Sequence, residues 1–441
     1  MRRSQLRPIA CLLALLPALP ATASLAPPAP PADGGSLEEL LREVRKKRLA
    51  AMERLEAPVT QLLERLSDAP VSDKSEEVKR IKGSILALGK EAAPLLVDHI
   101  DPGAAGGSSE KRLARRVADV LEQLPTSAVT AKLITVARGG SKSGRENAMR
   151  VLGSSPDRAR ASACLADLFR TSQGALRTQA VQSLARLGGG ENEALLLQAL
   201  SDSDTKVLQA VLTALTEVGS TAGRARVREL SSSPSTAAPI VPEILAYYRA
   251  IADEVEDEDV EALVRLAAHD APSDEDRIQA LNTIPALAKR LDTKARKLFE
   301  PLLNEPDDEL REAAEICLAL LGDRNKRKDL IARYKALVDR DESWGGAHEQ
   351  LAELYLRLRE YGESIKAYKQ AIKTYKNQGR NVSEDVYIEL ARAYSLDSNV
   401  KKAYESLGDA SLTRSRLRAL AKDPDFRLVA EHNKYGKIFD V

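Results

Sequence analysis

Residues 175–204 read ALRTQAVQSLARLGGGENEALLLQALSDSD, and the architecture of the chain can be worked out from them. The first half places apolar residues at steps of four, four and three, the spacing of one stripe along a helix: Leu176, Ala180, Leu184 and Leu187. The three glycines 188–190 then end that helix, because glycine adopts the left-handed cap conformation at no steric cost. A second apolar block, residues 195–200, predicts a return helix. One such pair cannot cover its own stripes, so we expect it to stack on similar pairs.

The same frame recurs along the chain. Each copy spans the same length from its first to its last apolar residue, and a helix-breaking glycine or proline follows it. The copies are residues 113–124, 176–187, 207–218 and 310–321. The pattern predicts an all-α fold, a right-handed α-α superhelix (solenoid) of helix pairs over residues 76–325.

The composition agrees with closely packed helices and argues against a nucleic-acid-binding protein. Only 4% of the 441 residues are aromatic, and the alternation of β-branched and aromatic residues that marks strands is not found. The first 23 residues hold three of the 66 basic side chains and none of the 65 acidic ones, so removing them leaves a net charge of −2. A nucleic-acid-binding domain would carry a basic excess.

The amino terminus, residues 1–23, is predicted to be a signal peptide. Three arginines precede an apolar run over residues 9–19, and small residues mark a cleavage site before Ser24. We therefore expect an exported protein, periplasmic or extracellular, with no integral membrane segment after cleavage. Residues 24–35, SLAPPAPPADGG, are predicted to be a proline-rich linker.

Residues 36–67 are predicted to form two capping helices that cover the first repeat. Ser36 and Glu39 match a capping box, and Pro58 suits the start of a second helix that would run through Leu66. The basic run at residues 45–48 is interpreted as a hydrated helix face, with a binding patch as the alternative.

Neither a disulfide nor a metal site is expected. Cys164 and Cys317 lie in apolar helical segments several repeat units apart, beyond the reach of a disulfide. The four histidines are isolated from one another, and the acidic run at residues 253–261 lacks the spacing of a calcium-binding loop. No cofactor is predicted.

The pattern changes after Gly322. From residue 345 the chain reads GGAHEQLAELYLRLREYGESIKAYKQAIKTY, which resembles a tetratricopeptide repeat. That family's packing positions are occupied by Leu351, Ala352, Tyr355, Ser364, Tyr368 and Ala371. A second copy follows, with Tyr387, Leu390, Ala391, Tyr394, Ala403, Leu407 and Ala410, and Tyr334 lies one period before Tyr368. The resemblance implies tetratricopeptide repeats over residues 326–412, then a capping helix and tail over residues 413–441.

The earlier frames resemble HEAT repeats, most closely the short bacterial form named after the bilin-lyase subunits that contain it. The resemblance rests on Leu-Gly pairs at the frame ends and on an arginine after the first residue of several frames: Arg177, Arg277 and Arg311. Together with the predicted signal peptide, the two resemblances imply an exported bacterial HEAT-like protein with C-terminal tetratricopeptide repeats.

No catalytic motif is present in the sequence. We find no nucleophile elbow, phosphate-binding loop or dinucleotide fingerprint, and so expect no enzymatic activity. The predicted function is a non-catalytic scaffold or adaptor that binds a protein or peptide. The alternative is an accessory or lyase-like protein that holds a small molecule between the HEAT-like repeats. A deep pocket with clustered polar groups would favour the alternative, and a long open groove the scaffold.

The tetratricopeptide resemblance also suggests partner-binding residues. In that family the inner helix of each unit lines a groove, and some members hold a peptide's carboxylate there with Lys, Asn and Arg. The matching positions here carry Glu349 and Glu353, which would repel a carboxylate, while Arg357 and Arg392 add positive charge further along. We therefore expect a partner segment with basic and apolar residues, held weakly and in a salt-dependent way. The alternative is that these charges only keep the surface hydrated.

Overall fold

A computed structural model describes residues 37–288 and 293–439. All regular structure within these residues is helical, which confirms the all-α class. The predicted signal peptide, the linker and Ser36 lie outside the described residues. None of the helices in the two described segments is long and apolar enough to cross a bilayer.

The helices follow one another through short connections. The first are α1 (Leu37–Asp68), α2 (Glu76–Ala87), α3 (Ala93–Leu96), α4 (Ser108–Gln123), α5 (Thr130–Gly139), α6 (Lys142–Leu152), α7 (Arg158–Thr171), α8 (Gly174–Leu187) and α9 (Gly190–Ala199). Next come α10 (Thr205–Val218), α11 (Arg224–Ser231), α12 (Pro234–Ala237), α13 (Val241–Ala250), α14 (Asp257–Ala267), α15 (Asp274–Leu287), α16 (Thr293–Lys297), α17 (Glu300–Leu303) and α18 (Asp308–Leu320). The last are α19 (Arg324–Arg340), α20 (Gly345–Arg357), α21 (Tyr361–Asn377), α22 (Glu384–Leu396), α23 (Val400–Asp409), α24 (Arg414–Leu420) and α25 (Arg427–Ala430).

One helix from each successive pair packs on the corresponding helix of the next pair, and together these helices form one continuous row. Along it α4, α6, α8, α10, α13, α15 and α18 each pack on the next. Other helices pack behind this row, with α5 against α7, α7 against α9 and α11 against α14. Each helix therefore contacts mainly its neighbours in the sequence, which is the repeat-like packing of stacked helix pairs.

The recurring frame corresponds to α4, α8, α10 and α18. On α8 the predicted stripe faces the core, where Ala180, Leu184 and Leu187 are at most 2% exposed. Gly188 ends α8 with φ at 63° and Gly219 ends α10 with φ at 65°, a region that side chains with a Cβ rarely adopt. The predicted helix ends are therefore confirmed at these positions.

The two predicted capping helices are one continuous helix, α1, so that prediction is wrong. Pro58 lies inside α1 and removes one backbone donor without ending the helix. The reason is the apolar stripe: Val59, Leu63 and Leu66 are buried and Leu55 packs on the same core. The stripe continues through the residues on both sides of Pro58, and α1 packs on α2 and α4.

The C-terminal helices have a core of their own. Most of the predicted packing residues are buried, among them Leu351, Ala352, Tyr355, Ser364, Tyr368, Ala371, Leu390, Ala391, Tyr394, Ala403, Leu407 and Ala410. The Ser364 hydroxyl donates to the Ala352 carbonyl over 2.8 Å, which joins α21 to α20 where small residues let the helices approach. Cys164 and Cys317, in the earlier part of the chain, are buried and free.

Candidate partner-binding surface

Helix α20 carries three of the four predicted site residues. Glu349, Glu353 and Arg357 are spaced four residues apart and therefore share one face of the helix. Glu353 is exposed and Glu349 is half-buried. The Tyr375 hydroxyl of α21 donates to Glu349 Oε2 over 2.9 Å, which orients that carboxylate. Burial and this hydrogen bond raise the pKa of Tyr375 to about 12, so its hydroxyl stays a donor at neutral pH.

The Arg357 guanidinium forms an ion pair with a carboxylate from the preceding part of the chain. Its Nη1 donates to Glu312 Oε1 on α18 over 2.9 Å. Glu312 also accepts from Arg333 over 3.2 Å and from the Tyr334 hydroxyl over 2.5 Å, both on α19. The Arg357 charge thus joins the two groups of helices and is not available as the sequence suggested.

Arg392 is likewise engaged, and it lies on the next helix of the surface, α22. Its Nη1 donates to Asp423 over 2.7 Å and to Asp425 over 2.8 Å, while its Nε donates to Glu389 over 3.0 Å. The guanidinium carbon lies 5.3 Å from the centre of the Phe426 ring. Arg392 therefore fastens the closing segment to α22, a role that the sequence did not reveal.

A third carboxylate, Glu389, faces the same region as Glu349 and Glu353. Burial raises the pKa of the Glu389 carboxyl, Arg392 opposes that rise, and the negative charge of Glu353 adds to it. Glu389, Glu353 and Glu349 all act on buried Tyr368, whose pKa rises first through burial and then through their charges. We call Glu349, Glu353 and Glu389 the acidic strip. The sequence signal for Glu389 was its position one turn before Arg392.

The arginines of the HEAT resemblance are structural. Arg177 Nη2 lies 2.6 Å from Asp202 in the loop before α10. Arg277 is 4% exposed and donates to the Ala267 carbonyl over 2.8 Å. Arg311 donates to the Glu305 carbonyl over 2.8 Å. These guanidinium groups hold loops against helices.

A second surface is a groove between α8 and α10, with a volume of ≈ 470 Å³. Its floor contains alanines and its walls carry amides, hydroxyls and charges: Thr178, Gln182, Ala185, Arg186, Lys206, Gln209, Ala210, Thr213, Ala214 and Glu217. Ala185 and Ala214 also line a smaller pocket of ≈ 190 Å³, otherwise mainly apolar, beside residues 188–190. We call the larger space the α8/α10 groove.

Ion pairs also join α2, α4, α6 and α8. Lys82 on α2 donates to Asp119 on α4 over 2.6 Å, and Arg150 on α6 pairs with Glu122 on α4 over 2.9 Å. Arg186 on α8 also reaches Glu122, over 3.0 Å. Side chains of α4 and α8 therefore meet across α6.

No group of three or more His, Cys, Asp or Glu side chains in residues 37–288 and 293–439 could hold a metal ion. No protein-family model matches the sequence, and no curated protein matches it either. The HEAT and tetratricopeptide assignments therefore rest on the residues quoted above.

Proposed function

We propose that this protein is an exported, non-catalytic scaffold or adaptor that binds a protein or peptide partner. In this proposal the pairs over residues 76–325 are HEAT-like repeats and those over residues 326–412 are tetratricopeptide repeats. Together they form a right-handed superhelix in the periplasm or outside the cell. The repeat-like packing supports the proposal, since stacked helix pairs present extended binding surfaces. Export is tested by the intact mass of the mature protein, which we expect to begin at Ser24.

The observation that carries the proposal is the acidic strip. Arg357 and Arg392, the basic residues expected on this surface, are paired with carboxylates of the chain itself. Exposed Glu353, with half-buried Glu349 one turn before it, gives the surface a local negative sign, while the Glu389 carboxylate is paired with Arg392. Its partner is therefore a segment with basic residues, accompanied by apolar ones that contact the helix faces. Because exposed ion pairs contribute at most about 1 kcal/mol each, binding is weak and falls with added salt.

Charge reversal tests the proposal. Glu353→Lys turns an attraction of up to about 1 kcal/mol into a repulsion of similar size, so we expect affinity to fall on the order of tenfold. Glu363→Lys is the matched control, because Glu363 is an exposed residue of α21 whose one ion pair within residues 37–288 and 293–439 is to Lys366, over 2.7 Å. The partner is cross-linked in the native envelope, identified, and then titrated against both variants at low and high salt.

A double variant extends the test to Glu349. Glu349→Lys with Glu353→Lys should weaken binding further, with a melting temperature close to that of Tyr375→Phe, which loses the same hydrogen bond. Tyr375→Phe is its control, since it removes the hydrogen bond to Glu349 and keeps the charge. Equal partner binding by wild type and the double variant would move the binding surface to the HEAT-like part or to the opposite face.

The α8/α10 groove supports a second candidate, an accessory protein that holds a small molecule between HEAT-like repeats. Its volume lies in the range of ligand sites, and Thr178, Gln182 and Gln209 bring polar groups together along it. Native mass spectrometry of protein from its natural source tests this candidate. A small molecule that is present in wild type and lost in Thr213→Leu supports it, whereas wild type carrying no small molecule contradicts it.

A further inference from the structure

Trp344, the one tryptophan in the sequence, stands at the start of α20 with 43% of its surface exposed. It is the N-cap residue of the helix. Its amide donates to the Asp341 carbonyl over 3.0 Å, and its own carbonyl accepts from the Ala347 amide over 3.1 Å. The backbone that carries this exposed aromatic side chain is therefore fixed on both sides.

Two glycines let aromatic rings lie directly against the helix. A Cβ added at Gly346 would lie 2.7 Å from Nε1 and 2.9 Å from Cε2 of the Trp344 indole. A Cβ added at Gly345 would lie 2.7 Å from the Tyr375 ring. Real Cβ atoms do not come that close, so the indole occupies space that only glycine leaves open. Trp344 is thus exposed, its backbone is fixed by two hydrogen bonds, and its indole lies against Gly346.

The indole lies in line with the acidic strip. Gly346, Glu349 and Glu353 are spaced three and then four residues apart, so they share one face of α20. Seven residues of helix span roughly 10 Å. The Tyr375 ring, which packs at Gly345, also donates to Glu349 through its hydroxyl. An aromatic ring and two carboxylates therefore follow one another along two turns.

This combination fits a cation with an apolar stem. The face of an indole attracts a guanidinium or ammonium group, and a carboxylate nearby neutralises its charge. A neutral apolar side chain could pack on the indole but would have no electrostatic attraction to Glu349 and Glu353. A carboxylate ligand would be repelled by both.

We propose that Trp344, Glu349 and Glu353 form a recognition site for an arginine or lysine side chain of an extended basic segment in the partner. The inference rests on the proposed scaffold function and deepens it, because it names the aromatic residue and the kind of side chain that is recognised. Because hydrogen bonds on both sides fix the Trp344 backbone, this residue requires little backbone ordering on binding, which favours affinity at a small surface.

The test uses the mature full-length protein and a synthetic peptide without tryptophan, three repeats of Ala-Arg-Ala-Leu. A second peptide replaces each arginine by citrulline, which keeps the shape and loses the charge. Binding is followed in two ways: by anisotropy of a fluorescein-labelled peptide and, with unlabelled peptide, by tryptophan emission, which reports on Trp344 alone. We expect the arginine peptide to bind and to shift the emission, and the citrulline peptide to do neither.

The variants separate this inference from the proposed function. Trp344→Leu keeps an apolar side chain without a π face, and we expect it to weaken anisotropy-detected binding by about two- to thirty-fold, the range of a cation–π contact. Trp344→Phe should retain part of the affinity. If Trp344→Leu binds as wild type does while Glu353→Lys weakens binding, the scaffold proposal stands and this site is overturned. If the citrulline peptide binds equally well, the site recognises apolar groups and the inference is wrong. If the arginine peptide does not bind at all, both this site and the proposed binding of basic segments by the acidic strip are wrong.

Discussion

Arg116 on α4 anchors the end of α1, and we predict that its removal releases that helix. The side chain is fully buried. Its Nη1 donates to the Leu66 carbonyl over 2.7 Å and its Nη2 to the Pro70 carbonyl over 2.5 Å. Its Nε donates to Asp73 over 2.7 Å. These acceptors include a carbonyl of the last turn of α1, which has no partner within the helix.

The size of the effect follows from what Arg116→Ala leaves behind. Hydrogen bonds from a charged donor contribute about 1.5–3 kcal/mol each, and a buried carbonyl without a donor costs about 1–3 kcal/mol. Since these terms overlap, we expect the docking of α1 to lose about 3–5 kcal/mol, the usual cost of breaking a buried charged network. The loss should stay local, because helices of a stack contact mainly their neighbours.

Arg115 provides the matched control. It pairs with the same Asp73 but its side chain is 54% exposed, so Arg115→Ala should cost less than about 1 kcal/mol. Hydrogen exchange of peptides covering residues 37–71 measures both variants. We expect Arg116→Ala to lose about two to four orders of magnitude of protection there and Arg115→Ala less than tenfold, with α20 to α23 unchanged. Equal exchange in the two variants would mean that the apolar contacts of α1 alone hold it in place.

Three further predictions concern the stripe, the α1 anchor and the indole. Leu184→Ala should cost ~2–5 kcal/mol in chemical denaturation because Leu184 is 1% exposed, and a loss near zero would place the stripe on the wrong face. Burial alone would raise the pKa of Asp73, but Arg116 and Arg115 lower it below the ordinary value of 3.8. The Asp73 carboxylate therefore stabilises the fold fully above pH 3.8, and this contribution is lost as the pH falls through the lowered pKa. Exchange in α1 should therefore increase below about pH 4 more in wild type than in Asp73→Asn, and identical pH profiles would contradict this. Gly346→Ala should displace the indole and shift tryptophan emission, whereas Gly362→Ala, whose added Cβ meets nothing within 4 Å, should leave it unchanged.

The helices could be predicted from the sequence wherever local spacing determines them. The frame of Leu176 to Leu187 and its glycine gave α8 because a stripe and a C-cap are both properties of adjacent residues. The same reasoning failed at Pro58, where the local rule for proline predicts a boundary. There the burial of Val59, Leu63 and Leu66 against other helices overrides the rule, and burial is not a local property.

The site could be predicted only in part for a related reason. The resemblance to tetratricopeptide repeats led to Glu349, Glu353 and Arg357, which share one face of α20. It could not show that Arg357 meets Glu312, because that contact joins residues 45 positions apart. The role of Trp344 also depended on geometry, since the close approach of its ring to Gly346 has no counterpart in a residue pattern.

The use of arginine along the chain explains why a nearly neutral protein can present a surface of one sign. Arg177 pairs with Asp202, Arg277 with Glu305 and Arg392 with Asp423, each time joining a helix of one unit to the segment that begins the next. In such pairs the two charges offset each other locally, so the overall balance of 66 basic and 65 acidic residues says little about any one face. The sign of the charge on one face depends on the charged side chains there that are not in ion pairs. Glu353 is one of these, since no ion pair joins it to another described residue, and it lies on the helix that begins after Trp344. A partner that matches Glu353 and the indole would thus be selected by a few residues, and its binding would depend on salt although the whole protein is almost uncharged.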